Sequence, residues 1–484
     1  MNRLGQNSFI KDSLTMASSP LITQLLGLMI IPLITRIYSP EMFGLAATFI
    51  ALSCIFTEFA GFGFSSAILL PDKDETANYI FIMVIIFTII PFFVTSSIII
   101  LFSSQIAAQV NFAFPISYYW LIPIFVLTHG VLQALRYLTI RNAGFSKLVY
   151  ANVSAYIIEN SFLIFVGIFV AAEPIVIIIA AVIAAVTRIL ILIINVGYKK
   201  MYHLPHIFSI AKYKNLFKRY KKFPIFTLPT NIISRYVVQI PIIIFTALFS
   251  AKACGYYIFA TRILNLPVNL IGNSVSEVYF QRSALLQMEG KKEISIRLFS
   301  ILTEISFIPL IIVVLLGQEI FSLLLGSNWS EAGLYAQVLS ISVFVRFIFA
   351  PSSYLLILLE KQQYQLYFNI ILTIITILSL AIGYLFKEII ISLVLISFLS
   401  AALHVFMGCY MFKLIGIKFI EIIKPFIKVF PIVLLVILIL FLLKIVFSFD
   451  NFILIIIACI IMISYMFYVV YTNKYLLGAL KRAF

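Results

Sequence analysis

The chain alternates long apolar runs with short polar breaks. Segments such as IIIFTALF (242–249) and LLVILILFLL (434–443) carry no polar alternation. Strands of an outer-membrane barrel alternate apolar and polar side chains over about ten residues, so a barrel does not fit. A helix needs roughly twenty consecutive apolar residues to cross the hydrocarbon core. That rule predicts about fourteen spans, at 14–38, 42–70, 78–102, 116–140, 148–172, 174–197, 224–250, 254–280, 298–316, 334–359, 365–386, 389–412, 426–447 and 452–471. The predicted fold is therefore an all-α integral membrane protein. The first run contains Pro20, Gln24 and Pro32 and no small-residue cleavage site, so it is expected to be an uncleaved first helix.

Composition supports that pattern. Hydrophobic residues make up 63% of the 484 and charged residues 11%, against roughly 25% charged in a soluble domain. The net charge of +16 would suggest nucleic acid in a soluble protein. Here its distribution gives a topological reading. With the N-terminus placed inside, 26 of the 34 Lys and Arg fall on inner segments and 4 on outer ends. The positive-inside rule then predicts both termini in the cytoplasm, and no nucleic-acid partner is expected. Cys54, Cys254, Cys409 and Cys459 all lie in apolar runs without CxxC or Cys/His spacing, so neither a disulfide framework nor a metal site is predicted. There is no GxxxxGK[ST] and no GxGxxG after a strand. The longest polar segments, 198–223 and 317–333, are too short for a catalytic domain, so no cofactor and no enzymatic activity are expected.

The basic 198–223 segment follows six spans. After it the first pair of spans recurs weakly: SPEMFGL (Ser39–Leu45) and SAKACGY (Ser250–Tyr256) superpose at an offset of 211, bringing Ser39 onto Ser250, Gly44 onto Gly255 and Thr35 onto Thr246. The expected organisation is a six-helix bundle over 1–197, a basic cytoplasmic linker over 198–223 lying on the anionic leaflet, a second six-helix bundle over 224–412, and a further helix pair with a tail over 413–484. Two pseudo-symmetric bundles around a central cavity are the architecture of a rocking-bundle transporter.

Polar residues inside spans are costly and usually line a wet cavity or pair with one another. At 100° per residue, Arg262, Asn265, Asn269, Asn273 and Ser276 form one stripe along the eighth span. The seventh carries Thr227, Asn231, Ser234 and Arg235. The first carries Gln24 and Thr35, and the second Cys54, Glu58, Gly61 and Ser65. Arg235 lies about 16 Å from the inner end of its span and Arg262 about 12 Å from the outer end of its own, too deep to snorkel comfortably. Arg346 in the tenth span is similarly central. Deep arginines outnumbering acids predict an anionic ligand, because guanidinium matches phosphate with a planar fork of donors. The neutral amides suit sugar hydroxyls. The candidate binding residues are thus Arg235, Arg262, Asn265, Asn269, Asn273, Asn231, Gln24 and Arg346. Glu58 and Glu159, near mid-depth, are candidates for ion coupling or for structural Glu–Arg pairs. His129 and His404 are expected to be packing residues.

The motifs KDSLTMASSPLITQLLGLMIIPLITRIYSPEMFGL (11–45), LPDKDE (70–75) and GYYIFATRILNLPVNLIGNSVSEVYF (255–280) resemble the polysaccharide-transporter branch of the multidrug/oligosaccharidyl-lipid/polysaccharide flippase superfamily. These are the flippases of O-antigen and capsule repeat units. The resemblance implies translocation of undecaprenyl-diphosphate-linked oligosaccharide across the bacterial cytoplasmic (inner) membrane by alternating access. The expected partners are that lipid-linked oligosaccharide, membrane lipids, and the polymerase and chain-length proteins of surface polysaccharide synthesis. It also implies cavity arginines on the first, seventh and eighth helices. Arg235 and Arg262 match, whereas Gln24 stands at the mid-depth position of the first. The alternative is a cation-coupled small-molecule exporter of the same superfamily. A membrane polymerase or ligase fits poorly, because the 317–333 outer segment has no Lys, Arg or His.

Overall fold

The structure, a computed structural model, describes residues 3–109, 115–196, 210–284, 286–361, 363–446 and 449–472. The start of the expected linker (198–209) and the tail (473–484) lie outside the described residues. Among the described residues, twelve helices are long and apolar enough to cross a membrane, or thirteen counting one bent pair as a span, against the fourteen expected.

The chain divides into two units, Met1–Gly255 and Tyr256–Phe484. That division falls later than the linker expected to separate the bundles. The first unit holds α1 (Arg3–Ile37), α2 (Pro40–Thr57), a 3-10 helix (Ala60–Leu69), α3 (Asp74–Gln109), α4 (Leu121–Arg141), α5 (Phe145–Phe169), α6 (Pro174–Val196), α7 (Ile210–Arg219), α8 (Leu228–Leu248) and the start of α9 (Ala251–Leu264). Within it α1 packs on α5, α5 on α6, α3 on α4, and α2 on both α4 and α8. Its core includes Tyr38, Phe49, Phe64, Ile80, Val84 and Leu135, all buried, and the Tyr38 hydroxyl donates to the Leu163 carbonyl at 2.9 Å, tying α1 to α5.

The second unit continues with α10 (Asn273–Ala284), α11 (Met288–Leu325), α12 (Ser330–Phe349), α13 (Gln363–Leu385), α14 (Ile389–Leu414), α15 (Phe419–Phe441) and α16 (Asn451–Thr472). Here α11 packs on α12, α15 and α16, while α14 packs on α12 and α13. The final pair is anchored apolarly through Ile308, Ile312, Val429, Val433 and Val436. It is also anchored by polar groups. Lys428 Nζ donates to Glu304 Oε1 at 2.9 Å and the Tyr465 hydroxyl to the Glu304 carbonyl at 2.8 Å.

Three expected spans are not continuous. The 42–70 span ends as an α-helix at Thr57 and resumes as the 3-10 helix, because Gly61, Phe62 and Gly63 turn left-handed with φ of 68°, 47° and 75°. The 224–250 span bends by 45° between Phe223–Ile233 and Val238–Leu248. The 254–280 span splits into α9 and α10 around a π-helical turn, Val268–Gly272. Pro267, just before that turn, has no N–H to continue the α ladder. All three breaks fall in the spans that carry the polar stripes.

Helix α7, from the expected leaflet-lying linker, is basic and amphipathic, but its apolar side docks on protein. Tyr213 and Leu216 pack on the first unit's core, and the Phe217 ring lies 5.6 Å from that of Phe64. Lys212 Nζ donates to Glu75 Oε1 at 3.1 Å and to the Tyr79 hydroxyl at 3.3 Å. Those two bonds push the Lys212 ammonium above its ordinary pKa. Lys214, Lys218 and Arg219 stay exposed.

The weak repeat has a local structural counterpart. Ser39 Oγ accepts from the Met42 N–H at 3.3 Å at the start of α2, and Ser250 Oγ accepts from the Ala253 N–H at 3.1 Å at the start of α9. These are the same N-cap at the offset of 211, satisfying the same otherwise orphaned helix donor.

Candidate functional site

Residues from three helices and the left-handed turn enclose a cavity of about 320 Å³ within the first unit. The end of α2 supplies Thr57 and Glu58, and the 3-10 segment supplies Gly63, Ser65 and Ser66. His129, Gln133 and Arg136 come from α4, and Asn231 and Arg235 from α8. Arg235 Nε donates to Glu58 Oε1 at 2.8 Å. The arginine side chain is 41% exposed and the glutamate 10%. Glu58 is therefore held by one edge of the guanidinium, while the rest of the planar fork makes no hydrogen bond among the described residues. Arg136, exposed on the same cavity wall, adds a second cation with no partner among them. His129 and Gln133 lie 3.5 Å apart between their Nε2 atoms. Two guanidinium groups against one carboxylate leave the cavity with a positive excess.

The turn that shapes this wall depends on glycine. A Cβ at Gly61 would lie 2.7 Å from Val84 Cγ1, and one at Gly63 would lie 3.2 Å from the Leu228 nitrogen. Both glycines have φ near +70°, which costs other L-residues about 1–3 kcal/mol. Gly61→Ala and Gly63→Ala are expected each to lower stability by about that amount. Thermal unfolding of the purified variants checks this, and unchanged midpoints would show that the turn is not built as described.

The sequence-predicted residues separate into groups. Asn231, Arg235 and Glu58 meet in this cavity. Glu58 and Arg235, expected in distinct ion-coupling and phosphate-binding roles, instead form an ion pair, which is the structural alternative weighed for Glu58. Gln24 is half-buried on α1 with its Oε1 unpartnered. Glu159 is half-buried on α5. Neither lines the cavity.

The other candidates belong to the second unit. Arg262 is exposed, its guanidinium 6.0 Å above the Phe259 ring. Asn265 Oδ1 accepts from the Arg346 guanidinium, so these two satisfy each other. The Arg346 Nε is buried without a partner. Asn269 is exposed, and the Asn273 side chain lies outside the described residues. His404 Nδ1 donates to the Ser400 carbonyl at 2.7 Å and its ring stacks edge-on against Phe368, as a packing histidine does.

Sequence reasoning missed the polar wall that α4 gives the cavity. His129, Gln133 and Arg136 stand at i, i+4 and i+7 on α4, one helix face. The signal was the same stripe spacing used for the eighth span. Taken alone, His129 suits packing and Arg136 suits the inner end of its span.

The polysaccharide biosynthesis protein family matches residues 33–334, more than half of the chain and the whole stretch that builds this cavity. The chain belongs to that family. Among individual relatives, the teichuronic acid biosynthesis protein TuaB of Bacillus subtilis (strain 168) is 25% identical over 174 residues, 36% of this chain and 35% of TuaB. The match thus spans about a third of that curated relative. Two solved structures share the fold. The lipid II flippase MurJ, in an inward closed conformation, aligns with a TM-score of 0.68 at 15% identity, covering 96% of this chain and 99% of that one. An inward-facing multidrug resistance MATE family transporter of the MOP superfamily aligns with a TM-score of 0.60 at 13% identity, covering 83% and 98%. This member of the polysaccharide biosynthesis protein family is accordingly a multi-pass α-helical membrane protein that shares its fold with those two solved structures.

Proposed function

We propose that the protein is a flippase. In this reading it carries a lipid-linked, diphosphate-bearing oligosaccharide precursor of a surface polysaccharide from the cytoplasmic to the outer leaflet of the bacterial inner membrane, by alternating access. The observation that carries this reading is the Arg235 fork, held by Glu58 at one edge and open to a cavity that also displays Arg136. Such a group is preorganised for phosphate oxygens. Asn231 and Gln133 supply neutral donors and acceptors for sugar hydroxyls. On the second unit, Arg262 and Asn269 are the exposed candidates for further contacts. Both termini are taken as cytoplasmic from the charge asymmetry.

The carboxylate in the cavity supports one competing reading, a cation-coupled exporter in which Glu58 holds the coupling ion. Proteoliposomes loaded with a polyprenyl-diphosphate oligosaccharide separate the two. An imposed potential, without any ion gradient, favours outward movement of negative charge by about 2.3 kcal/mol per charge per 100 mV. Flipping accelerated by potential alone is expected. No flipping under potential or under H⁺ or Na⁺ gradients, together with gradient-driven efflux of small cations, would sink the flippase reading.

A further inference from the structure

A second cavity, of about 400 Å³, opens in the second unit between the first half of α11 and the start of α15. It lies at the end of the unit expected to face the cytoplasm. Its two walls are cross-braced. Near its inner end Lys292 of α11 reaches Glu421 of α15 at 3.2 Å, and deeper in the span Lys428 of α15 reaches Glu304 of α11 at 2.9 Å. Ser300 Oγ also donates to Glu304 Oε1 at 3.0 Å. Both carboxylates of the cavity are therefore committed to lysines.

Between the braces stand Arg297 and Lys424, one from each wall. Arg297 lies 4.0 Å from the exposed Glu293 on its own helix, one turn away. Lys424 is exposed and makes no hydrogen bond or ion pair among the described residues. Around Lys424 the helix surface is apolar. Ile420 and Ile427, at i−4 and i+3 on the same stripe, are 65% and 64% exposed. A soluble anion has no use for such flanks, but a phosphate carrying acyl chains does. A basic pocket between helices at the cytoplasmic end of a membrane bundle suits an anionic lipid headgroup.

We propose that this cavity is a binding site for the phosphate of an anionic phospholipid. Arg297 and Lys424 hold the phosphate oxygens, and the chains run along Ile420 and Ile427. The site is separate from the transport cavity of the first unit. It places a lipid across the contact between α11 and α15, so the lipid staples α15 to α11.

The test uses the full chain in phosphatidylcholine micelles or nanodiscs titrated with phosphatidylglycerol, with bound lipids counted by native mass spectrometry. The wild type is expected to retain phosphatidylglycerol selectively. The Arg297→Gln/Lys424→Gln variant is expected to bind it about thirty-fold more weakly, the equivalent of about 2 kcal/mol at about 1 kcal/mol per basic residue. Its phosphatidylcholine retention and flipping in phosphatidylcholine should be unchanged, which shows that it folds. The Lys214→Gln/Lys218→Gln variant on α7 controls for non-specific attraction. Equal phosphatidylglycerol retention by the pocket variant and the wild type overturns the proposal. So does an equal loss in the α7 variant. Displacement of the lipid by millimolar inorganic phosphate overturns it as well, because it would make the ligand a free anion.

Discussion

Arg235→Ala is expected to abolish transport and to reduce the yield of folded protein together. Glu58 is 10% exposed and Arg235 is its one ion-pair partner among the described residues. Truncation leaves a carboxylate stranded within the span, which costs about 3–5 kcal/mol or forces the acid to protonate. A single substitution therefore confounds folding with function. Glu58→Gln/Arg235→Gln separates them. Replacing both partners removes the stranded charge, and pairs so neutralised are often no less stable than the original. The double variant is expected to recover wild-type thermal stability while flipping stays at least about thirtyfold below wild type, the scale of losing one charged contact. Arg235→Lys should keep the bridge to Glu58 but offer phosphate a point charge instead of a fork. It is expected to retain stability and lose most transport. Normal flipping by the double variant would mean that the pair only holds α2 against α8.

How much of this was legible beforehand follows from what each feature depends on. The spans could be read because a helix crossing the bilayer must satisfy its backbone internally and be apolar for about twenty residues, a local requirement. The depth of Arg235 and Glu58 could be read for the same reason. Their pairing could not, because it depends on how α2 registers against α8, and no local spacing encodes that. The left-handed turn at Gly61–Gly63 was half visible. Two glycines flanking Phe62 in an apolar run permit a break, but a helix–helix contact tolerates them equally well. Pro267 and Gly272 posed the same ambiguity for the eighth span, since proline in membrane helices is often accommodated without a break. The stripe His129, Gln133 and Arg136 was fully present in the sequence. It was obscured by taking its residues singly, when a shared face is the physical evidence.

Gly44→Ala is expected to be the most disruptive single-methyl change in the first unit. A Cβ on Gly44 would lie 1.7 Å from the Ala251 carbonyl oxygen and 2.9 Å from the Gly255 nitrogen. A Cβ on Gly255 would lie 1.9 Å from the Pro40 carbonyl oxygen. At the offset of 211, Gly44 is equivalent to Gly255 and Pro40 to Ala251, so the two repeats touch reciprocally, each glycine against the other repeat's N1 carbonyl. The obstacles are backbone atoms, which cannot rotate aside as a side chain would. Helices α2 and α9 would have to separate, straining the Thr48 Oγ1–Cys254 Sγ contact of 3.9 Å one turn away. Overpacking usually costs about 1–3 kcal/mol, and a clash this short against backbone belongs at or above the top of that range. The reciprocity gives a sharper test than the magnitude. Separating the helices to admit one methyl also makes room for the other. Gly44→Ala/Gly255→Ala should therefore destabilise by less than the two single changes together, with a coupling of about 0.5–3 kcal/mol. Gly272→Ala, where the nearest atom stands 3.6 Å away and φ is not left-handed, should be neutral or slightly stabilising. Denaturation of the four variants in one detergent reads all of these. Strict additivity of the two glycine changes would mean that the repeats do not meet through this contact.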